Sequence, residues 1–173
     1  PERRGGFQYG VGYENNNSQW DCHVHGGEGD HSFHYKLPGY ETDELTNLFI
    51  QYIQERVQQQ GVEQQPFFAV LSVQPPHNPY SAPADIRGSY SPANIRLRPN
   101  VPDIPSVTEQ ARTDLAGYYA MIANLDWNVG RIRQALEQAG IADETHIIFF
   151  SDHGDTHGSH GQFLKTNPYE ESI

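Results

Sequence analysis

The residues best suited to chemistry stand in two short polar motifs, each at the end of an apolar run. The stronger is Ser151-Asp152-His153-Gly154-Asp155, at the end of the run Thr145–Ser151. An Asp at the tip of a buried strand costs several kcal/mol to desolvate unless a cation or a hydrogen-bond donor compensates it. In a glycine-containing turn, Asp152 and His153 can both face one metal ion. The alternative is that Asp152 caps a helix or a loop through backbone hydrogen bonds.

The second motif is Pro75-Pro76-His77-Asn78-Pro79-Tyr80, which follows the apolar run Phe67–Val73. The flanking prolines restrict the backbone, so they present His77 rigidly. An imidazole in this place can donate to an anionic oxygen or protonate a leaving group. Taken alone, the motif is weak, because a histidine in a proline-rich loop is more often a solvated or packed side chain.

Several polar residues around the first motif have two possible roles. Asp155 either contributes to a pocket or closes a turn, and His157 and His160 either line a pocket or belong to a simple turn among glycines. Lys165 follows further along the chain.

The two apolar runs predict strands that are buried on both faces of a parallel sheet, because continuous apolar sequence is typical of such strands. In open α/β sheets, ligands bind outside the carboxyl ends of the strands. We therefore expect His77 and Asp152 at the same edge of one sheet.

Two helices are predicted between and around these runs. A 3.6-residue apolar stripe begins after Thr42 or Asp43 and ends before Gly61. A second stripe begins at a capping box, Ser106-Val107-Thr108-Glu109, and ends at Gly140. The order of strand, loop, helix and strand predicts an α/β fold with largely parallel strands and flanking helices.

The remaining segments predict loops. Residues 1–41 are rich in Gly, Asn, Tyr and His without a sustained period, so we expect irregular structure with a short strand at Phe7–Tyr13. Residues 75–105 contain eight prolines, which exclude a helix or a central strand. Residues 42–173 are expected to form the α/β core, and residues 1–173 to form part of a single domain.

Composition limits the possible partners. The net charge is −11, which disfavours nucleic acid and anionic membranes because both attract basic surfaces. No run of about 18 apolar residues is present, so no membrane span is predicted. The lone Cys22 excludes an internal disulfide and a cysteine-rich zinc module.

Four histidines near the start of the sequence could form a second metal site. They are His23, His25, His31 and His34. His-x-His is a known spacing of zinc ligands, so a zinc cluster is one interpretation. The other is a solvated loop on the substrate side of a site.

Taken together, the motifs resemble the type I sulfatases of the alkaline-phosphatase superfamily, over nearly the whole chain. The family's Pro-His-x-Pro-Phe/Tyr motif is matched at His77, and its Asp-His/Asn-Gly motif at Asp152 and His153. A Lys about a dozen residues beyond is matched by Lys165. The resemblance implies an alkaline-phosphatase-like catalytic domain in which residues 1–41 lie on the substrate side.

The resemblance also implies what these residues do. Asp152 and His153 would be ligands of a calcium ion, and His77 and Lys165 would contact the sulfate and act as the catalytic and substrate-binding groups. The substrate would be a sulfate ester of a small molecule or a glycan. Enzymes of this family are commonly exported, so the resemblance points to a periplasmic or secreted parent protein.

The sequence departs from the family at the nucleophile. In the family this is a formylglycine made from the Cys of a Cys-x-Pro/Ala-Ser-Arg motif, whereas Cys22 stands in Asp21-Cys22-His23-Val24-His25. A pair of Asp ligands and a Gly-Lys-x-His element are also missing. We therefore expect an internal segment of a sulfatase that is inactive in isolation.

Two other functions remain open at the level of sequence. The first is a phosphodiesterase or phosphonate monoester hydrolase of the same superfamily, which shares the Asp-His-Gly-Asp motif. The second is a non-catalytic acidic binding module, which the missing nucleophile permits.

Overall fold

The computed structural model describes residues 5–14, 17–28, 32–60 and 65–173. Three strands lie in its first part: β1 (Tyr9–Gly12), β2 (His23–Glu28) and β3 (Phe33–Lys36). Three α-helices follow: α1 (Glu41–Gln60), α2 (Ala84–Arg87) and α3 (Pro105–Gln138). Short 3₁₀ turns occur at Pro92–Asn94, Ala142–Glu144, Ser159–Gly161 and Glu170–Ser172.

The first part of the chain is more regular than its sequence predicts. The strands form an antiparallel sheet in the order β1-β2-β3, with His25 opposite His34 in the second ladder. The short strand expected at Phe7–Tyr13 is confirmed as β1. The irregular structure expected over the rest of 1–41 is wrong at β2 and β3, and residues 1–4, 15–16 and 29–31 lie outside the described residues. Glycines obscure the alternation in β2. At Gly26, where φ is +151°, a Cβ would clash with the Gly10 carbonyl of β1.

The helix α1 confirms the first predicted helix, and it packs against α3. Ile53 of α1 and Leu136 of α3 share an apolar cluster with Ile141. A polar contact joins the helices as well, because Asp43 Oδ1 accepts hydrogen bonds from Asn124 (2.8 Å) and Asn128 (2.7 Å). These contacts make a helical layer on which the later segments rest.

The long helix α3 begins one residue before the predicted capping box. Pro105 occupies its first turn, where the missing N–H of proline has no intrahelical partner to lose. Gly117 lies in the middle of the helix, and a Cβ there would clash with the Tyr80 carbonyl. The loop that contains His77 therefore rests directly on the backbone of α3.

The two apolar runs are not strands among the described residues. Phe67–Val73 and Thr145–Ser151 have no assigned secondary structure, and the sheet that is assigned is antiparallel. Burial alternates along the first run, in which Leu71 and Val73 pack on the core while Phe68 is exposed. The second run is almost wholly exposed, with Phe150 at 81%.

The expected burial of both faces is thus wrong for these runs in this chain. The described residues supply a helical layer on one side and no neighbouring strands. The overall class is a mixture of helix and sheet, and the largely parallel sheet stays a prediction. None of the described helices is long and apolar enough to cross a membrane.

Candidate functional site

The loop around His77 is held by hydrogen bonds at its backbone and at its ring. The His77 N–H donates to the Gln74 carbonyl (3.0 Å), and the Gln19 side chain donates to the His77 carbonyl (3.3 Å). Nδ1 lies 2.7 Å from the Asn78 carbonyl oxygen. Because a carbonyl only accepts, Nδ1 carries the proton in this contact and Nε2 is left for another partner.

The N-terminal part of the chain supports this loop. The Trp20 indole donates to Ser81 Oγ (3.0 Å), and the Tyr40 hydroxyl donates to the Ser81 carbonyl (2.9 Å). The peptide bonds Pro75–Pro76 and Asn78–Pro79 are cis. The two hydrogen bonds to Ser81 fix the path of the chain on the C-terminal side of His77.

Asp152 and His153 lie in an exposed turn. The Asp152 side chain is 85% exposed, so the desolvation penalty expected from the sequence does not apply to it here. Its Oδ1 accepts the His153 N–H (3.0 Å). His153 Nδ1 lies 2.8 Å from the Gly154 carbonyl, which again assigns the proton to Nδ1. His153 Nε2 then faces Asp152 Oδ2 at 3.7 Å.

Gly154 brings this turn against the end of the chain. A Cβ at this position would clash with the Glu171 carbonyl, so the backbones meet where no side chain fits. Glu171 is held in turn by Asn100, whose side chain donates to it (2.5 Å). The segment Glu170–Ser172 therefore supports the Asp152 turn through the contact between the backbones of Glu171 and Gly154.

Asp155 joins the two polar motifs. Its Oδ2 accepts the Tyr80 hydroxyl (2.8 Å), which lies 75 residues away in the sequence. Its Oδ1 accepts two backbone N–H groups, from His157 (3.1 Å) and Leu164 (3.1 Å). Burial, followed by the hydrogen bond and the charge of Asp155, raises the pKa of Tyr80, so this hydroxyl stays protonated. Asp155 thus closes the turn, and it also brings the His77 loop and the Asp152 segment together.

Lys165 directly follows the residue that returns to Asp155. The Leu164 carbonyl accepts from the Thr156 N–H (3.0 Å) and the Thr156 hydroxyl (2.9 Å), which closes the loop 156–164. The Lys165 side chain is half-buried. No carboxylate in the described ranges forms an ion pair with it.

The two histidines of this loop have structural contacts. His157 is 3% exposed, and its ring packs against Tyr118 (4.5 Å between centroids) and Tyr80 (5.1 Å). Burial lowers the pKa of His157, against the opposing charge of Asp155, so the ring is neutral at physiological pH. His160 stacks on Tyr169 at 4.1 Å. Both residues therefore support the loop through packing.

The N-terminal histidines do not form a metal centre in the part of the chain that is described. His23, His25 and His34 lie on one exposed face of the sheet, whereas His31 lies outside the described residues. No group of three or more His, Cys, Asp or Glu side chains in the described ranges is arranged to hold an ion. The two predicted calcium ligands, Asp152 and His153, lie elsewhere, with Oδ2 and Nε2 3.7 Å apart.

Cys22 is a core residue. It is fully buried in a cluster with Val24, Leu37 and Leu45. Its thiol is therefore enclosed by apolar side chains, in keeping with its position outside any formylglycine motif.

Comparison with known proteins identifies the family. The family model described as Sulfatase matches residues 2–173. The chain belongs to the sulfatase family. Similar proteins include an ulvan-active sulfatase of Formosa agariphila, which is 34% identical over 120 residues that cover 68% of this chain and 23% of the relative. Human iduronate 2-sulfatase is 29% identical over 135 residues, covering 61% of this chain and 24% of that enzyme.

A solved structure supports the same conclusion. The sulfatase-family protein yidJ of Bacteroides fragilis superposes with a TM-score of 0.87 at 31% identity, covering 99% of this chain and 37% of that one. This sulfatase chain thus spans about a quarter of the length of the curated relatives named above. The resemblance drawn from His77, Asp152, His153 and Lys165 is therefore confirmed at the level of the family.

Sequence reasoning missed two residues that shape this site. Tyr80 was visible as the last residue of the proline-rich motif, but nothing local indicated that it bonds Asp155. Gln19 follows a run of asparagines and carried no signal, yet it holds the His77 carbonyl.

Proposed function

We propose that this chain supplies the sulfate-binding and part of the calcium-binding groups of a sulfuric ester hydrolase. The single observation that carries the proposal is the hydrogen bond from Tyr80 to Asp155, which brings the two family motifs together. The substrate is a sulfate ester of a small molecule or a glycan. In keeping with this, relatives of this chain are named as an ulvan-active sulfatase and an iduronate 2-sulfatase.

In this proposal His77 and Lys165 act on the sulfate ester. Lys165, with no carboxylate partner in the described ranges, neutralises charge on the sulfate oxygens in a chain whose net charge is −11. Because Nδ1–H is bound to the Asn78 carbonyl, Nε2 is the nitrogen of His77 that remains for the ester. In the imidazolium form Nε2 also carries a proton, which it donates to the ester oxygen that leaves, and the ring is then neutral. The attacking hydroxyl comes from a formylglycine outside these residues, as the family resemblance implies.

Asp152 and His153 are the residues that would hold the calcium ion. Asp152 Oδ2 and His153 Nε2 are 3.7 Å apart, so both atoms could face one ion, and Asp152 would supply the carboxylate oxygen that calcium prefers. The Gly154 carbonyl fixes the tautomer that frees Nε2, as backbone carbonyls often do for ligating histidines. When bound, calcium would polarise the sulfate oxygens.

The calcium proposal has a binding test. Calcium takes about 6–8 ligands, so two side chains alone bind it weakly. We expect calorimetry to give calcium binding by the full-length protein that Asp152→Ala abolishes, and no binding at micromolar calcium by the isolated 173 residues. Micromolar binding by the isolated chain that is lost in Asp152→Ala would contradict this assignment, since it would require a site complete within these residues.

We also propose that the runs Phe67–Val73 and Thr145–Ser151 belong to a largely parallel, alkaline-phosphatase-like sheet in the full-length enzyme. The alternating burial of the first run and the exposed apolar side chains of the second support this. In such a sheet, neighbouring strands would cover Phe68 and Phe150.

The experiment that tests the function compares two substrate classes on the purified full-length protein. We expect hydrolysis of an aryl sulfate at a kcat/KM well above that for an aryl phosphate diester. A preference for the phosphate diester would overturn the sulfatase assignment in favour of a phosphodiesterase. Absence of both activities in a folded, calcium-loaded protein would leave a binding module as the correct description.

A further inference from the structure

We propose that Asp155 is a positioning residue that sets the spatial relation between His77 and Lys165. This inference rests on the proposed sulfatase function and adds a residue to it. Asp155 contacts Tyr80, three residues after His77, and Leu164, directly before Lys165. One carboxylate therefore holds the two chain segments that carry the catalytic groups.

Both contacts transmit position because the contacted residues are themselves fixed. The Tyr80 backbone lies against Gly117 of α3, where not even a methyl group fits, and its ring packs on Tyr118 (6.1 Å). Leu164 is held through its carbonyl by both donors of Thr156. Because the Tyr80 and Leu164 contacts are rigid, a shift of the Asp155 carboxylate would change the relative position of the segments that carry His77 and Lys165.

The chemistry of the contacts favours a carboxylate. All three hydrogen-bond partners of Asp155 donate: the Tyr80 hydroxyl and the N–H groups of His157 and Leu164. An ionised carboxylate only accepts and has room for all three, whereas an amide has one acceptor oxygen, so the Tyr80 hydroxyl would have to turn and accept from the NH₂ group. Hydrogen bonds to an ionised group are also roughly twice as strong as neutral ones.

The same contacts exclude a direct catalytic role for Asp155. Both of its oxygens are occupied, and the side chain is only 15% exposed. It acts on the sulfate ester through the residues it holds. Its loss should therefore lower turnover by misplacing His77 and Lys165, since displacement of a catalytic group by about 1 Å can cost about 10²-fold in rate.

The test uses the full-length enzyme with Asp155→Asn, Tyr80→Phe and a control, Asp103→Asn, which changes an exposed carboxylate. We expect Asp155→Asn to lower kcat on an aryl sulfate by about 10–100-fold with a much smaller change in KM. Tyr80→Phe should lower kcat by less, since the bonds from the His157 and Leu164 N–H groups to Asp155 remain intact, and the control should leave both constants unchanged.

A double variant separates positioning from general stability. If Tyr80 acts only through the His77 loop, Tyr80→Phe should cost nothing further in a His77→Ala background, because groups that act as a unit are not additive. Multiplicative losses in the double variant, or a kcat for Asp155→Asn equal to that of wild type, would overturn the inference.

A second measurement does not depend on sulfatase activity. Hydrogen–deuterium exchange should rise at residues 76–81 and 163–166 in Asp155→Asn, and only at 76–81 in Tyr80→Phe. Unchanged exchange in both segments contradicts the positioning role. If the wild-type enzyme hydrolyses no sulfate ester, the proposed function fails, and the exchange pattern alone decides whether Asp155 holds the two segments.

Discussion

Two regions of the chain differ sharply in the contacts they make. The loops around Asp155 form many hydrogen bonds within the chain, whereas the apolar runs that lead into these loops expose many of their side chains. Around Asp155, side chains from residues 80, 155 and 156 and the backbone of residues 157 and 164 bond one another. Along Thr145–Ser151, Ile148 and Phe150 are more than four-fifths exposed. Hydrogen bonds, one of them between residues 75 apart in the sequence, thus hold the polar loops together. In the described part of the chain, the run Thr145–Ser151 is left largely uncovered.

This contrast separates geometry from catalysis. Short polar loops reach a defined shape through hydrogen bonds within the chain, and each such bond contributes about 0.5–1.5 kcal/mol. An apolar face is stabilised only when another surface covers it. The polar loops can therefore be well ordered in this chain even when the reaction, as proposed above, takes its nucleophile from outside these residues.

The largest expected effect concerns turnover by these residues alone. We expect the isolated 173-residue chain to have no measurable aryl sulfatase activity, because loss of a covalent catalyst costs many powers of ten in rate. The full-length enzyme, purified in the same way, is the control. Turnover by the isolated chain that survives removal of contaminating enzyme would show that the nucleophile lies within it.

The next effect concerns the two groups proposed to contact sulfate. In the full-length enzyme, His77→Ala and Lys165→Ala should each lower kcat by about 10²–10⁴-fold through lost proton donation or charge stabilisation. The matched controls are His146→Ala and Lys36→Ala, which change exposed residues of the same types. Steady-state kinetics checks this, and unchanged rates in both site variants would remove His77 and Lys165 from the site.

The free energy of unfolding should respond differently to substitution of a buried and of an exposed apolar residue. In the isolated chain, Ile53→Ala should cost about 2–5 kcal/mol because Ile53 is buried between α1 and α3. Phe150→Ala should change the free energy of unfolding by less than about 0.5 kcal/mol, because the ring is exposed.

In the full-length enzyme, the effect of Phe150→Ala on the free energy of unfolding should be larger. If the run Thr145–Ser151 is covered by neighbouring strands there, Phe150→Ala should cost about 3–5 kcal/mol. Urea unfolding of wild type and Phe150→Ala, each as the isolated chain and as the full-length enzyme, measures the cost of the substitution in both. A cost for Phe150→Ala that is small in both proteins would contradict the proposed sheet.

The smallest effect concerns Glu41, a fully buried carboxyl group at the start of α1. Burial raises its pKa, and the Tyr13 hydroxyl and the Gln74 backbone lower it by less. Protonated Glu41 is the form that the fold prefers. Its contribution to stability is complete below about pH 4.3, the ordinary pKa of Glu, and is lost as the pH rises through the raised folded value.

Glu41→Gln should therefore leave stability unchanged near pH 4 and increase it, relative to wild type, at pH 8. Thermal unfolding across this pH range measures the difference, and Glu55→Gln, in the exposed part of α1, is the matched control. A gain that is equal at both pH values would mean that burial of Glu41 does not disfavour its charge.

The sequence predicted the elements whose signals are local. The helix α1 was within two residues of its expected start because its apolar stripe has a helical period. The start of α3 was placed at the capping box rather than at Pro105, although proline suits the first helical position. The sequence predicts His77, Asp152 and His153 as site residues because they follow apolar runs, and it predicts Lys165 from the family resemblance.

What was missed depends on contacts distant in the sequence. The strands β2 and β3 were read as irregular because Gly26, Gly27 and the histidines hide their alternation. The role of Asp155 was left open because its partner Tyr80 is 75 residues away. The runs Phe67–Val73 and Thr145–Ser151 were expected to be buried from their composition alone, and composition does not say whether the covering residues are present.

The contact between Gly117 and Tyr80 has a consequence for anyone who would redesign this enzyme. A mutational library aimed at a new substrate could vary the exposed face of His23, His25 and His34 freely, since those side chains support nothing beneath them. The same library at Gly117 would return almost only glycine, even though the residue lies in a helix and contacts no substrate, because any larger side chain would displace the Tyr80 backbone. The positions that tolerate substitution and the positions that hold the His77 loop in place are thus different residues.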